Sequence, residues 1–73
     1  MTVQELNTIF GKNIRTYRKK MGLTQKQLGM KIGIIQQTVS WYEYGKHFPE
    51  ALRMIELADA LGVEVSQLFE RQG

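Results

Sequence analysis

Gln36 and Gln37 stand side by side, and Ser40 and Trp41 follow one helical turn later. A glutamine amide presents a donor and an acceptor at fixed spacing, which is what bidentate engagement of adenine N6 and N7 in the DNA major groove requires. A hydroxyl at Ser40 can donate or accept at a base edge. An indole at Trp41 can pack on a thymine methyl or donate its N–H to a phosphate oxygen. Plain surface polarity is the competing account of the glutamines. For Trp41 it is a ring folded back onto the preceding helix or set in a protein interface. Catalysis lacks the necessary inventory: one His, no Cys, and no paired carboxylates beside a nucleophile. His47 alone supplies one ligand where a metal site needs three or four, and no Gly-rich phosphate loop is present. No metal, cofactor or small-molecule ligand is expected.

The elements that must position these four residues are legible from local signals. Thr24 with Gln27 forms a capping box. Leu28 and Ile32 give the following helix, about Gln25 to Ile32, one apolar stripe. Gly33 stops it. A second helix restarts two residues later, about Gln36 to Tyr44, with Val39 and Tyr42 on its inner face and Gly45 at its end. Ile35 stands where a polar cap is expected, an omission that typically costs ~1 kcal/mol. Gly29 lets the two helices approach closely. Two helices joined by a short Gly-containing turn make a helix-turn-helix, with Gln36, Gln37, Ser40 and Trp41 on the open face of its second helix.

From Arg15 and Arg18, through Met21-Gly22-Leu23-Thr24-Gln25, Leu28, Gly33, Gln36-Gln37-Thr38-Val39-Ser40, Tyr42-Glu43, Gly45-Lys46 and Pro49, to Leu57-Ala58 and Ala60-Leu61-Gly62-Val63, the chain resembles the phage-repressor (Cro and lambda-repressor-like, or Xre) family over roughly residues 10 to 69. The resemblance implies an all-α, compact five-helix lambda-repressor-like DNA-binding domain, with the helix-turn-helix formed by helices 2 and 3. It makes Gln25 a phosphate ligand, and Arg18 with Glu43 a structural salt bridge between helices 1 and 3. Lys46 and His47, in the loop after helix 3, and Lys26 are further candidates for phosphate contact. Gly29 replaces the family's usual Ala. Ile35 replaces its polar cap, and Trp41 replaces a small, polar or basic residue.

Residues 1–73 are expected to form a single domain. Thr2 with Glu5 is a second capping box, and Val3, Leu6, Phe10, Ile14, Tyr17 and Met21 recur at helical steps, giving helix 1 from Val3 or Asn7 to Met21. Gly11 inside it, worth roughly 1 kcal/mol against Ala, weakens its first turns. Pro49 and Glu50 open helix 4, about Glu50 to Leu61, with Ala51, Met54, Ile55, Ala58 and Leu61 as its core stripe and Leu52 and Leu57 off it. Helix 5 is expected at about Val65 to Glu70 with Leu68 inward, and Arg71 to Gly73 frays.

Charge is unevenly placed along the chain. Up to His47 there are eight Lys and Arg against Glu5 and Glu43; from Phe48 onward, Arg53 and Arg71 face five carboxylates. The basic half contains the helix-turn-helix, which suits a face turned toward a polyanion. No apolar run approaches the ~20 residues of a membrane span, no signal pattern opens the chain, and cysteine is absent, so a cytoplasmic protein is expected. The expected function is that of a sequence-specific, repressor-type transcriptional regulator. Its partners would be double-stranded DNA, read in the major groove by helix 3, and a second copy, as a homodimer on a palindromic operator. No separate dimerisation domain is expected after Gly73, and Leu52, Val65, Gln67 and Phe69 are the expected interface. The alternative is a protein-interaction adaptor, with Trp41, Tyr44 and Phe48 as its surface, or an antitoxin, on the same fold.

Overall fold

The Thr2 hydroxyl accepts the Glu5 backbone N–H at 3.0 Å and the Glu5 carboxylate accepts the Thr2 N–H at 3.0 Å. This capping box fixes the start of the first helix, α1 (Val3–Lys20). The computed structural model describes residues 1–71; of the end expected to fray, Arg71 lies 3.5 Å from the Glu5 carboxylate, and Gln72 and Gly73 lie outside the described residues. Three further helices follow, α2 (Gln25–Ile32), α3 (Gln36–Glu43) and α4 (Ala51–Leu61), then a 3-10 turn at Val65–Phe69. Among the described residues there are no strands, and no helix is long and apolar enough to cross a membrane.

The expected fifth α-helix is therefore that 3-10 turn, and the described residues form four α-helices. Gln67 N–H bonds Glu64 O at 3.0 Å and Glu70 N–H bonds Gln67 O at 3.5 Å, both at the tighter i→i+3 spacing. The buried Asn13 side chain on α1 donates to both Leu68 O and Glu70 O, each at 2.8 Å. The segment ends against α1, with Leu68 completely buried beneath it.

Phe10, Ile14, Leu28, Val39, Leu57 and Leu68 form the fully buried centre, with Tyr42, Ala58 and Leu61 around them. Each fully buried aliphatic or Phe side chain contributes roughly 1.5–3 kcal/mol. α4 is rolled away from the expected stripe. Leu57 is completely buried, while Ile55 is 50% exposed and Ala51 lies outside the core. Both rolls satisfy helical spacing, and the observed one buries Leu57 at the expense of Ile55. Arg53 donates to the Ile32 carbonyl at the end of α2 at 3.1 Å, and Leu57, one turn on from Arg53, is carried inward with it.

Two glycines are required by close approach. A Cβ on Gly11 would come within 2.5 Å of Tyr42 O and 2.6 Å of Glu43 O, so α1 and the end of α3 touch backbone to backbone there. Gly11 is thus a packing position, and α1 runs unbroken through it. A Cβ on Gly29 would lie 2.5 Å from Ile34 O. The turn of the helix-turn-helix is folded tightly against α2, with Ile34 N–H bonded to Gly29 O at 2.9 Å.

Gly11→Ala separates two forces of opposite sign. Helix propensity favours Ala by about 1 kcal/mol, whereas forcing a methyl into a filled contact typically costs ~1–3 kcal/mol. The blocking atoms are backbone oxygens, which cannot rotate aside, so urea denaturation should show net destabilisation. An equal or higher midpoint would mean that the α1–α3 contact opens freely.

Candidate nucleic-acid interface

Val39 and Tyr42 face the core and hold α3 by its inner side. Burial pushes the Tyr42 phenol up from its ordinary value, so this anchor stays neutral. The opposite side is open. Gln36 and Gln37 are exposed and Ser40 is half-buried. Together with Gln25 and Ile35 these three line one shallow depression on the surface. The structure thus brings together three of the four base-reading candidates and one phosphate candidate. α3 begins without a side-chain cap at Ile35, whose carbonyl nevertheless takes the first N–H groups, Thr38 at 3.0 Å and Val39 at 3.4 Å.

α3 is anchored at its other end by charge. Arg18 Nε and NH2 donate to the two Glu43 carboxylate oxygens at 2.6 and 3.0 Å, and Arg18 NH1 donates to Leu23 O at 2.9 Å. The two side chains are 10% and 2% exposed. Gln25 joins them, donating through Nε2 to Glu43 Oε1 at 3.1 Å. Its second N–H and its carbonyl oxygen remain for another partner. The capping box at Thr24, with Thr24 N–H bonded to Gln27 Oε1 at 2.8 Å and Gln27 N–H to Thr24 Oγ1 at 3.0 Å, fixes the first turn of α2 from which Gln25 reaches. Because Arg18 neutralises Glu43, the edge of the depression carries no unbalanced negative charge from it.

The remaining candidates flank this centre. Lys26 is exposed on the first turn of α2, and Lys46 and His47 are exposed in the loop after α3. Trp41 is half-buried and does not line the depression. Its indole packs against His47, with ring centroids 4.7 Å apart. Tyr44 is 70% exposed, one turn beyond Ser40 and two beyond Gln37. Its place on the open side of α3 was available from that spacing alone, although by sequence it reads only as part of a protein-binding surface. Phe48, expected on the same surface, is 40% exposed and also packs its ring 5.0 Å from Phe10 and 6.0 Å from Phe69.

The dimer candidates divide. Leu52 is 71% exposed, beside exposed Ile55 on the same outward side of α4. Val65, Gln67 and Phe69 are half-buried. Gln67 Oε1 accepts the Glu64 N–H at 2.8 Å, and the Phe69 ring lies 5.7 Å from Phe10. Phe69 therefore helps close the core.

Comparison with known proteins places this geometry. The helix-turn-helix family HTH_3 matches residues 14–68. An HTH-type transcriptional regulator of Methanothermobacter thermautotrophicus is 39% identical over 51 residues, covering 70% of this chain and 74% of that protein. The HTH-type transcriptional regulator y4dJ of Sinorhizobium fredii is 34% identical over 64 residues, covering 88% and 83% respectively. Among solved structures, the restriction-modification controller protein C.AhdI from Aeromonas hydrophila superposes with a TM-score of 0.81 at 30% identity, covering 86% of this chain and 96% of that one.

The buried ion pair makes a test of the architecture beneath the interface. Arg18→Met leaves Glu43 buried without its cation and should destabilise by ~3–5 kcal/mol. Arg18→Met with Glu43→Leu removes both charges and should recover much of that loss. Thermal melts in which the double variant is no better than the single would mean that the bonds to Leu23 O and Gln25, rather than the charge pairing, carry the stability.

Proposed function

The chain belongs to the HTH_3 helix-turn-helix family, and on that premise we propose that it is a sequence-specific transcriptional regulator of repressor type. In this reading α3 lies in the major groove and reads bases through Gln36 and Gln37, with Ser40 beside them. Gln25, Lys26, Lys46 and His47 bind the flanking phosphates. The observation that carries it is the single depression formed by Gln25, Ile35, Gln36, Gln37 and Ser40 on the open side of a helix whose inner side is locked into the core. The names of the relatives point the same way: they are transcriptional regulators, not enzymes.

A helix-turn-helix unit covers few base pairs, and its contacts alone separate one site poorly from the many competing ones. We place the active form as a homodimer on a palindromic operator, with the two recognition helices ~34 Å apart along the duplex. A two-fold interface needs the same patch on both copies. Leu52 and Ile55 supply exposed apolar area that the monomer leaves unpacked.

Selection from a random duplex pool should yield a palindromic site. Gln36→Ala or Gln37→Ala should then lose ~1–3 kcal/mol for each base pair read while binding to unrelated duplex barely changes. Retention of the wild-type preference by both variants would remove α3 as the reader. Assembly has its own measurement. Sedimentation equilibrium should show a concentration-dependent monomer–dimer balance that Leu52→Asp, at a position exposed in the monomer, shifts to monomer without lowering its melting temperature. A wild-type chain that stays monomeric at high concentration and binds a non-palindromic site one to one would refute the dimer.

A further inference from the structure

Trp41 lies one turn past Gln37 on α3, yet its attachments all lead to the loop that follows. Its carbonyl accepts the backbone N–H of Lys46 at 2.9 Å and of His47 at 3.4 Å. Its ring meets the His47 imidazole at 4.7 Å between centroids, with the planes inclined at 58°. Gly45, at a φ of 75°, reverses the chain between these contacts. At the loop's far side Phe48 packs on Phe10 and Phe69, at 5.0 and 6.0 Å. A short exposed loop is therefore held at both ends by aromatic contacts. Lys46 and His47, between Gly45 and Phe48, are the loop's cation and its imidazole.

We infer that Trp41 is a positioning residue, which fixes Lys46 and His47 as a preformed phosphate contact beside the bases read by α3 and does not itself read a base. The inference rests on the DNA-binding reading given above. The physical advantage is preorganisation. A lysine on a loose loop would have to be ordered when DNA binds, at the expense of affinity. Tied to Trp41, the loop's backbone is already in place, and only the side-chain tips remain to settle. This account also explains the residue type. A small or polar residue at position 41 would keep the backbone bonds but would offer His47 no ring.

The test uses the full chain and two duplexes, the selected site and an unrelated sequence, titrated over a range of salt. Trp41→Ala should weaken binding to both duplexes by the same factor, leave the site preference intact and reduce the salt slope by about 1 for each phosphate no longer neutralised. Trp41→Phe, which retains a ring, should restore most of the affinity and the slope. In a Lys46→Ala, His47→Ala background, Trp41→Ala should add little further weakening. Trp41→Tyr, which also retains a ring, tests the same stack if Trp41→Ala folds poorly, and it should keep the affinity and the slope near wild type. Without DNA, hydrogen exchange at the Lys46 and His47 amides should accelerate in Trp41→Ala, and the fluorescence of Trp41, the sole tryptophan, should shift in His47→Ala. A changed base preference at an unchanged salt slope would overturn the inference and make Trp41 a reader. Failure of Trp41→Phe to rescue, or unchanged amide exchange, would overturn it too. If the exchange and fluorescence changes occur but the wild-type chain prefers no duplex, the DNA reading fails while the tie between Trp41 and the loop stands.

Discussion

Arg18 satisfies three acceptors at once in a place where water barely reaches. Its planar fork holds both oxygens of Glu43 and the carbonyl of Leu23, and Gln25 adds a fourth strand to the same knot. A buried charge is tolerable only when paired and fully hydrogen-bonded, so the four groups must keep their relative positions. They come from the last turn of α1, the linker after it, the first turn of α2 and the last residue of α3. The open side of α3 cannot roll or slide without breaking this set. A lysine could not substitute, because its compact ammonium lacks the fork that spans a carboxylate and a carbonyl together. Glu43 by itself would be badly placed at a helix C-terminus, where negative charge opposes the dipole. The Arg18 cation removes that penalty.

The other fixed points of α3 are backbone contacts. Gly11 lets the carbonyls of Tyr42 and Glu43 rest on α1, and Gly29 lets the Ile34 carbonyl rest on α2. These contacts are shorter than any residue with a Cβ would permit. Charge pairing sets the orientation of α3 and the glycines set its depth. The uncapped start at Ile35 can be tolerated because the helix is secured at its far end and along its inner side.

What the sequence made legible were features whose cause is local. Capping boxes at Thr2 and Thr24 and the inward pair Val39 and Tyr42 each depend on residues within one turn, and all of them hold in the structure. The features that escaped depend on partners far along the chain. Asn13 in the middle of a helix looks like a solvent-facing residue until the carbonyls of Leu68 and Glu70 arrive to accept from it. Those same two bonds fasten the end of the 3-10 turn to α1. The roll of α4 was undecidable from periodicity, since Ile55 and Leu57 both fit a stripe. The observed roll buries Leu57 completely and lets Arg53 reach Ile32 O. In the interface the same division holds. Gln36, Gln37 and Ser40 share a side of α3 by spacing alone, whereas the contact of Trp41 with His47 depends on how the loop after Gly45 turns back.

These long-range ties share one element. α1 carries Phe10, against which Phe48 and Phe69 pack, Gly11, on which the end of α3 rests, Asn13, which holds the 3-10 turn, and Arg18, which holds Glu43. α3 and the C-terminal segment are both fastened to this one helix, and Phe48 adds a direct contact to Phe69. A continuous α-helix is stiff over such a length, so α1 acts as a ruler between the two regions. If a second copy docks through the outward side of α4, next to the segment that α1 tethers, the separation of the two α3 helices is set inside each chain before DNA is met. A domain with no disulfide and a small core has little stability to spare for buried polar groups. Asn13 and Arg18 nevertheless occupy its interior, and what each fixes is a position: one holds the C-terminal segment, the other the helix that faces outward.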